Sequence, residues 1–197
     1  SFYPKLNVLD TYGCLDSLIL PPIIINKPIA NFEVSDTLIC KGENIIIKHN
    51  SIGGALQFTW TVDSLIQELP VIDQKFNSSG FFDIKLHVKD NLGCQDSLIK
   101  INIIEVSDYP VPAFAADQKY IQCPPLTTNF GDSSKTPVIG WNWNFGDGKS
   151  STNQNPVHIY TQPGLYDVSL DVVNYAGCHE SLIKKEYIEI DGPRGTV

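Results

Sequence analysis

One hairpin sequence occurs three times in this chain: Tyr12-Gly13-Cys14-Leu15-Asp16-Ser17-Leu18-Ile19, Leu92-Gly93-Cys94-Gln95-Asp96-Ser97-Leu98-Ile99, and Ala176-Gly177-Cys178-His179-Glu180-Ser181-Leu182-Ile183. The cysteines are 80 (94 − 14) and 84 (178 − 94) residues apart, the length of one β-sandwich domain. Upstream of each copy runs an alternating strand: Leu6 and Val8, then Phe82, Ile84, Leu86 and Val88, then Tyr166, Val168, Leu170 and Val172. A second repeated feature marks domain starts, with Pro28-Ile29-Ala30-Asn31-Phe32 matching Pro110-Val111-Pro112-Ala113-Phe114 and Pro193-Arg194-Gly195-Thr196-Val197 reading as a third opening. The expected organisation is the last two strands of a truncated domain (1–27), two complete sandwiches (28–107 and 108–191) and the start of another domain (192–197). This reads as a window cut from a longer tandem array, in keeping with the absence of any Met. Two strands leave an apolar face uncovered, so residues 1–27 are not expected to close a sandwich alone.

Within the last copy the alternation is clearest. Trp141, Trp143 and Phe145 recur with period two and share one strand face, with Asn142 and Asn144 on the other. Gly146-Asp147-Gly148 follows and supplies a tight reversal, because these residues tolerate positive φ. Both complete copies place a tryptophan twenty residues after a cysteine, Cys40 to Trp60 and Cys123 to Trp143, which makes Trp60 the core tryptophan of the first. Its strand runs into Asp63-Ser64 instead of a G-D-G turn, so that hairpin must differ. No window keeps a helical apolar period free of Pro, Gly or β-branched runs, and the fold class is all-β. Between Val106 and Val111 the connection is short and contains Pro110, which favours an extended rod.

Charge and hydropathy exclude several functions. The net charge of −8 and the absence of a basic cluster argue against nucleic acid. The most apolar window, Leu18 to Phe32, is broken by Pro21, Pro22 and Pro28, so direct membrane insertion is not expected.

The segment Phe145-Gly146-Asp147-Gly148, then His158 and Tyr160, then Gly164, Tyr166, Val168, Leu170 and Val172, resembles the PKD domain, an immunoglobulin-like sandwich. The resemblance implies tandem PKD-type sandwiches, the copy at 28–107 being degenerate, with Trp60, Trp143, Phe145, Gly146, Asp147, Gly148, Tyr160 and Tyr166 as structural residues. The N-x-x-G-C-like hairpins, beside Cys40-Lys41-Gly42-Glu43, are similar to the PKD and immunoglobulin-like arrays of large bacterial cell-surface adhesins exported by type IX secretion in gliding bacteria. That likeness implies an extracellular, cell-surface location and a stalk that holds a distal binding region. Asp16-Ser17-Leu18, Asp36-Thr37-Leu38, Asp63-Ser64-Leu65 and Asp96-Ser97-Leu98 also match the O-glycosylation acceptor of such bacteria, which makes Ser17, Thr37, Ser64 and Ser97 candidate sites. Asn77-Ser78-Ser79 is a lone N-glycosylation sequon.

Five cysteines without C-x-x-C spacing suit an oxidising exterior better than a zinc site. Counting alone pairs Cys40 with Cys94 and Cys123 with Cys178. In an immunoglobulin-like sandwich, however, the second strand and the last hairpin lie at opposite ends, roughly 20 Å apart at ~3.3 Å per residue. Disulfide Cα atoms must approach to about 7 Å or less. The expected bond is therefore Cys40 to Cys178, with the intra-domain pairs and free thiols as alternatives, and Cys14 and Cys94 would then find partners upstream.

Catalysis is not expected. His49, His87, His158 and His179 are far apart in the repeat frame, and none sits in a Ser or Cys motif. Trp141 and Trp143 could form a sugar-stacking platform only if they pointed outward, whereas they share a face with Phe145. Calcium requires six to eight converging oxygens, and the spacing of Asp147, Asp167 and Asp171 follows strand exposure; no cofactor is expected, calcium being the open alternative. The reading is a non-catalytic stalk segment whose partners are neighbouring domains, surface polysaccharide or other cell-surface proteins. Its rival is a polysaccharide-binding accessory region of a secreted hydrolase.

Overall fold

The computed structural model describes residues 2–22 and 27–192; the expected domain opening at 193–197 lies outside the described residues. Among the described residues every element is a strand. In chain order these are β1 (Lys5–Leu9), β2 (Leu15–Ile19), β3 (Phe32–Val34), β4 (Leu38–Cys40), β5 (Asn44–His49), β6 (Gln57–Val62), β7 (Leu65–Gln67), β8 (Val71–Lys75), β9 (Gly80–Lys89) and β10 (Gln95–Ser107). They continue as β11 (Phe114–Ala116), β12 (Tyr120–Ile121), β13 (Leu126–Asp132), β14 (Val138–Asn144), β15 (Ser150–Ser151), β16 (Val157–Tyr160), β17 (Gly164–Asn174) and β18 (His179–Ile190).

The sheet orders repeat. A three-stranded sheet β3-β5-β8 accompanies a five-stranded sheet β4-β10-β9-β6-β7, and β11-β13-β16 accompanies β12-β18-β17-β14-β15. Each set is an immunoglobulin-like β-sandwich. Alternation sets which side chains turn inward. In the first sandwich Ile45, Ile47 and Ile72 are buried on the small sheet and Trp60, Val62, Ile84, Leu86 and Val88 on the large one. In the second, Phe114, Leu126 and Phe130 meet Trp143, Phe145, Val168, Leu170 and Val172 in one core. β1 and β2 pair as a lone two-stranded sheet. Leu6 and Val8 there are each 55% exposed, whereas Leu86, Val88, Leu170 and Val172 at the same repeat positions are fully buried.

The chain divides into two compact units that cut across the first sandwich. One comprises Ser1–Val34, Ile46–Ile72 and Asp83–Ile101; the other comprises Ser35–Ile45, Asp73–Phe82 and Asn102–Val197. The end of the first sandwich that carries Cys40, Phe76 and Val106 thus groups with the whole of the second.

Two recurring devices escape a reading by pattern. The first is a parallel strand pair: β4 runs alongside β10, with Cys40 opposite Ser107, and β12 runs alongside β18. β4 and β12 are three and two residues long, too short to show a period. The second is a lysine clasp. Lys100 Nζ donates to the Phe32 carbonyl at 2.7 Å and lies 4.5 Å from the Phe32 ring centroid. Lys184 does the same to Phe114, at 2.6 and 4.5 Å. Both follow the repeated Ser-Leu-Ile, a signal the sequence carried; the first copy has Leu20 there.

Candidate functional site

The candidate site is the linker Glu105–Asp108 and the groups that hold it, all within the second compact unit. Its hairpin begins at Asn174, the last residue of β17. Asn174 Oδ1 accepts from Ala176 N and Cys178 N, each at 3.0 Å, while Gly177 N donates to Asn174 O. That local network folds the loop so that Cys178 faces inward at 1% exposure. The sulfur is bonded to Cys40, with Cα atoms 5.6 Å apart and a sequence separation of 138. Of the pairings the sequence left open, the structure has this one. Cys94 and Cys123 are free thiols, so neither Cys40–Cys94 nor Cys123–Cys178 is present; Cys14 is also free.

Polar contacts surround the disulfide. Asn174 Nδ2 donates to Ser107 Oγ and to the Asp108 carbonyl, each at 2.9 Å. Tyr175 donates to Glu105 Oε1 at 2.5 Å, and that bond raises its hydroxyl pKa. Asp108 accepts from Ser79 Oγ at 2.6 Å and from Lys41 Nζ at 3.2 Å, and these two donors hold its carboxyl below the usual range. Beside them is a cavity of about 320 Å³ lined by Phe81, Val106, Pro137 and Tyr175 among others. The arrangement holds a backbone segment; Glu105, Asp108 and Tyr175 are each committed to a structural bond. Sequence reasoning found the two cysteines and missed Asn174, Ser107, Asp108 and Tyr175. The available signal was the Asx position four residues before each hairpin cysteine: Asp10, Asp90 and Asn174.

Of the aromatic residues singled out in sequence, Trp60, Trp143, Phe145 and Tyr160 lie in the core, while Trp141 and Tyr166 pack against it partly buried. Trp143 is fully buried, and its Nε1 donates to Asn153 O at 2.9 Å. Trp60 is likewise buried and donates to Leu69 O at 2.7 Å. Trp141 is only partly buried and donates to Asp132 Oδ2 at 2.8 Å. Phe145 is 1% exposed and stacks on His158 at 4.0 Å, and His158 Nε2 lies 2.9 Å from Asp147 Oδ2. Tyr160 donates to the Phe145 carbonyl at 3.0 Å; burial, with Asp147 and Tyr166 nearby, raises its pKa. Tyr166 donates to Gln162 O at 2.9 Å. Positive φ falls on Gly146 (81°) and Gly148 (86°), the residues that flank Asp147.

The remaining candidates do not converge. Asp147 engages His158, Asp167 engages Lys185, and Asp171 accepts from Ser181 Oγ at 2.7 Å. Among the described residues no cluster of three metal-ligating side chains occurs. His87 Nδ1 lies 2.9 Å from Ser97 Oγ, the His49 ring lies 4.0 Å from the Phe58 ring at a tilt of 32°, and His179 Nδ1 lies 3.6 Å from Asp171. Ser17, Thr37, Ser64, Ser97 and Asn77 are all exposed.

Residues 107–190 match the family model of the PKD domain. Collagenase ColA of Bacillus cereus is 47% identical over 45 residues, which cover 23% of this chain and 5% of that protein. The chain therefore spans a small fraction of that relative. Among solved structures, the eight N-terminal immunoglobulin domains of Down Syndrome Cell Adhesion Molecule superpose with a TM-score of 0.56 at 11% identity, over 93% of this chain and 34% of that one. A bacterial ice-binding adhesin superposes at 0.51 with 8% identity, covering 85% and 66%. Both share the fold of consecutive β-sandwiches.

Proposed function

We propose that this chain is a non-catalytic spacer within a larger extracellular or cell-surface protein, an adhesin-type stalk that holds a binding region away from the cell. The observation that carries this reading is the cross-linked linker. A disulfide closing 138 residues, with Asn174, Tyr175, Ser79 and Lys41 on the segment Glu105–Asp108, resists extension and serves no chemical step. A disulfide also fits an oxidising compartment. Its own partners are neighbouring domains of the same protein, the surface polysaccharide or other cell-surface proteins being met by the binding region it holds out, and it works without a cofactor. The exposed Ser17, Thr37, Ser64 and Ser97 are available for O-glycosylation in that setting.

A second reading, an accessory region of a secreted hydrolase that binds polysaccharide, draws on the 45-residue likeness to a collagenase. Affinity electrophoresis through polysaccharide gels, with a collagen pull-down alongside, separates the two. The spacer reading expects unretarded migration and no capture. Retardation that a Trp141→Ala variant abolishes would transfer the assignment to the rival.

A further inference from the structure

The two sandwiches carry different side chains at one station of the same fold. β3 sets Phe32 opposite His49 as β11 sets Phe114 opposite Asp132, and β6 sets Phe58 opposite Val88 as β14 sets Trp141 opposite Val172. Trp60 Nε1 donates to the Leu69 carbonyl as Trp143 Nε1 donates to that of Asn153, which aligns Pro70 with Gln154. His49, Phe58 and Pro70 therefore stand in the places of Asp132, Trp141 and Gln154. In the second sandwich Asp132 Oδ2 accepts from Trp141 Nε1 at 2.8 Å and from Gln154 Nε2 at 3.2 Å. In the first neither counterpart side chain can donate, because a phenylalanine ring and a proline ring carry no polar hydrogen. The His49 ring lies 4.0 Å from that of Phe58, and its Nδ1 is buried without a hydrogen-bond partner among the described residues. A donor brought to that nitrogen would remove its desolvation cost.

Phe58 and Pro70, which hold the donors' places, line a cavity of about 540 Å³ together with Leu56, Gln57, Thr59 and Glu68. All six residues and His49 belong to one compact unit. The volume lies in the range of ligand pockets. Three consecutive residues of β6 line it, so it runs along that strand's edge. β7 pairs with β6 only from Trp60 to Val62, and residues 57–59 have no strand beyond them on that side among the described residues. An extended segment can add there through its backbone. Glu68 is exposed and has no ion-pair partner among the described residues, so it favours a cation at the rim.

We propose that this cavity is a docking site for an extended segment of another protein that carries a tryptophan beside a lysine or arginine. The indole packs against Phe58 and Pro70, and its N–H donates to His49 Nδ1 in the imidazole tautomer protonated on Nε2. Trp141 Nε1 makes the corresponding bond to Asp132 in the second sandwich. The segment's backbone runs along residues 57–59, and its cationic residue meets Glu68. An indole is favoured over a sugar because the same fold already holds an indole at this station, donating to a side-chain acceptor. The site goes beyond the spacer reading, which neither requires it nor falls with it.

The test titrates the ¹⁵N-labelled full chain with the end-blocked pentapeptide Lys-Thr-Trp-Thr-Lys, and separately with the same peptide carrying Ala for Trp and with a cello-oligosaccharide. The expected result is a set of saturable shifts at the amides of residues 56–59 and 68 and at His49 Nδ1, with half-saturation in the millimolar range or below, absent with the Ala peptide. Phe58→Trp with His49→Asp and Pro70→Gln installs the second sandwich's own trio and fills the site from within. That variant should bind the peptide about tenfold or more weakly, with the remaining amide spectrum unchanged, and Phe58→Trp alone should act in the same direction. Glu68→Gln should weaken the peptide more than it weakens N-acetyltryptophanamide. No saturable shift, equal shifts from the Ala peptide, or shifts centred on the exposed β1–β2 hairpin would each overturn the proposal. So would undiminished binding in both filled variants, an equal effect of Glu68→Gln on the two ligands, or a response of these residues to the oligosaccharide alone.

Discussion

Replacing Trp143 by Phe separates a core tryptophan from a ligand platform in energetic terms. The ring is fully buried, with Phe114 at 5.2 Å edge-on and Phe130 at 5.5 Å between centroids. Phenylalanine removes the pyrrole part of the indole and leaves a small void, which costs about 1–2 kcal/mol when neighbours relax only in part. It also removes the Nε1 donor of Asn153 O. Asn153 is exposed, so water can reach that carbonyl and the loss lies near the low end, about 1 kcal/mol. The sum is about 2–3 kcal/mol, a large share of the 5–15 kcal/mol that stabilises a typical domain. Trp141→Phe loses one bond to Asp132 from a half-covered ring and should cost about 1 kcal/mol. Urea unfolding followed by far-UV circular dichroism measures both. Equal costs at the two positions, or a neutral Trp143→Phe, would refute the assignment of Trp143 to the core.

Other consequences follow from single contacts. Gly146→Ala sets a Cβ 2.5 Å from the Asp167 carbonyl at φ +81°, whereas Gly148→Ala at φ +86° meets nothing within 4 Å. The second variant should lose only the left-handed cost of about 1–2 kcal/mol, and the first clearly more, as read by thermal melts. The Cys40→Ser/Cys178→Ser pair removes a loop constraint worth at most about 5 kcal/mol in the entropic account, and its denaturation midpoint should fall below that of the oxidised chain. Asp117 is held down to about 2, first by the Asn129 side chain and then by the Asn129 N–H and Thr128. A carboxyl lowered on folding stabilises above its unfolded pKa and loses that contribution as pH falls from about 4 toward 2. NMR titration should place its midpoint well below that of Asp117 in Asn129→Ala.

How much was legible follows from the length of each signal. The hairpin period, the alternation through Tyr166–Val172 and the cysteine-to-tryptophan spacing extend over many residues, so architecture, core tryptophans and the Cys40–Cys178 geometry could be read from them. The hold on Glu105–Asp108 could not. Asn174 and Tyr175 reach residues 66 to 70 positions away through single hydrogen bonds that leave no periodic trace. Trp141 belongs by pattern with Trp143 and Phe145 on one strand face, yet only its two neighbours are fully enclosed, because Trp141 turns its Nε1 to the partly buried Asp132.

The most direct test of the spacer account is a force–extension measurement on single chains pulled from residues 1 and 197. With the bond intact, the loop it closes, a sequence separation of 138, is shielded, and at ~3.6 Å per residue about 500 Å of contour length should stay hidden at forces that unfold the termini. Adding a reductant should release that length in further steps. Full release from the oxidised chain, or equal traces before and after reduction, would contradict the account.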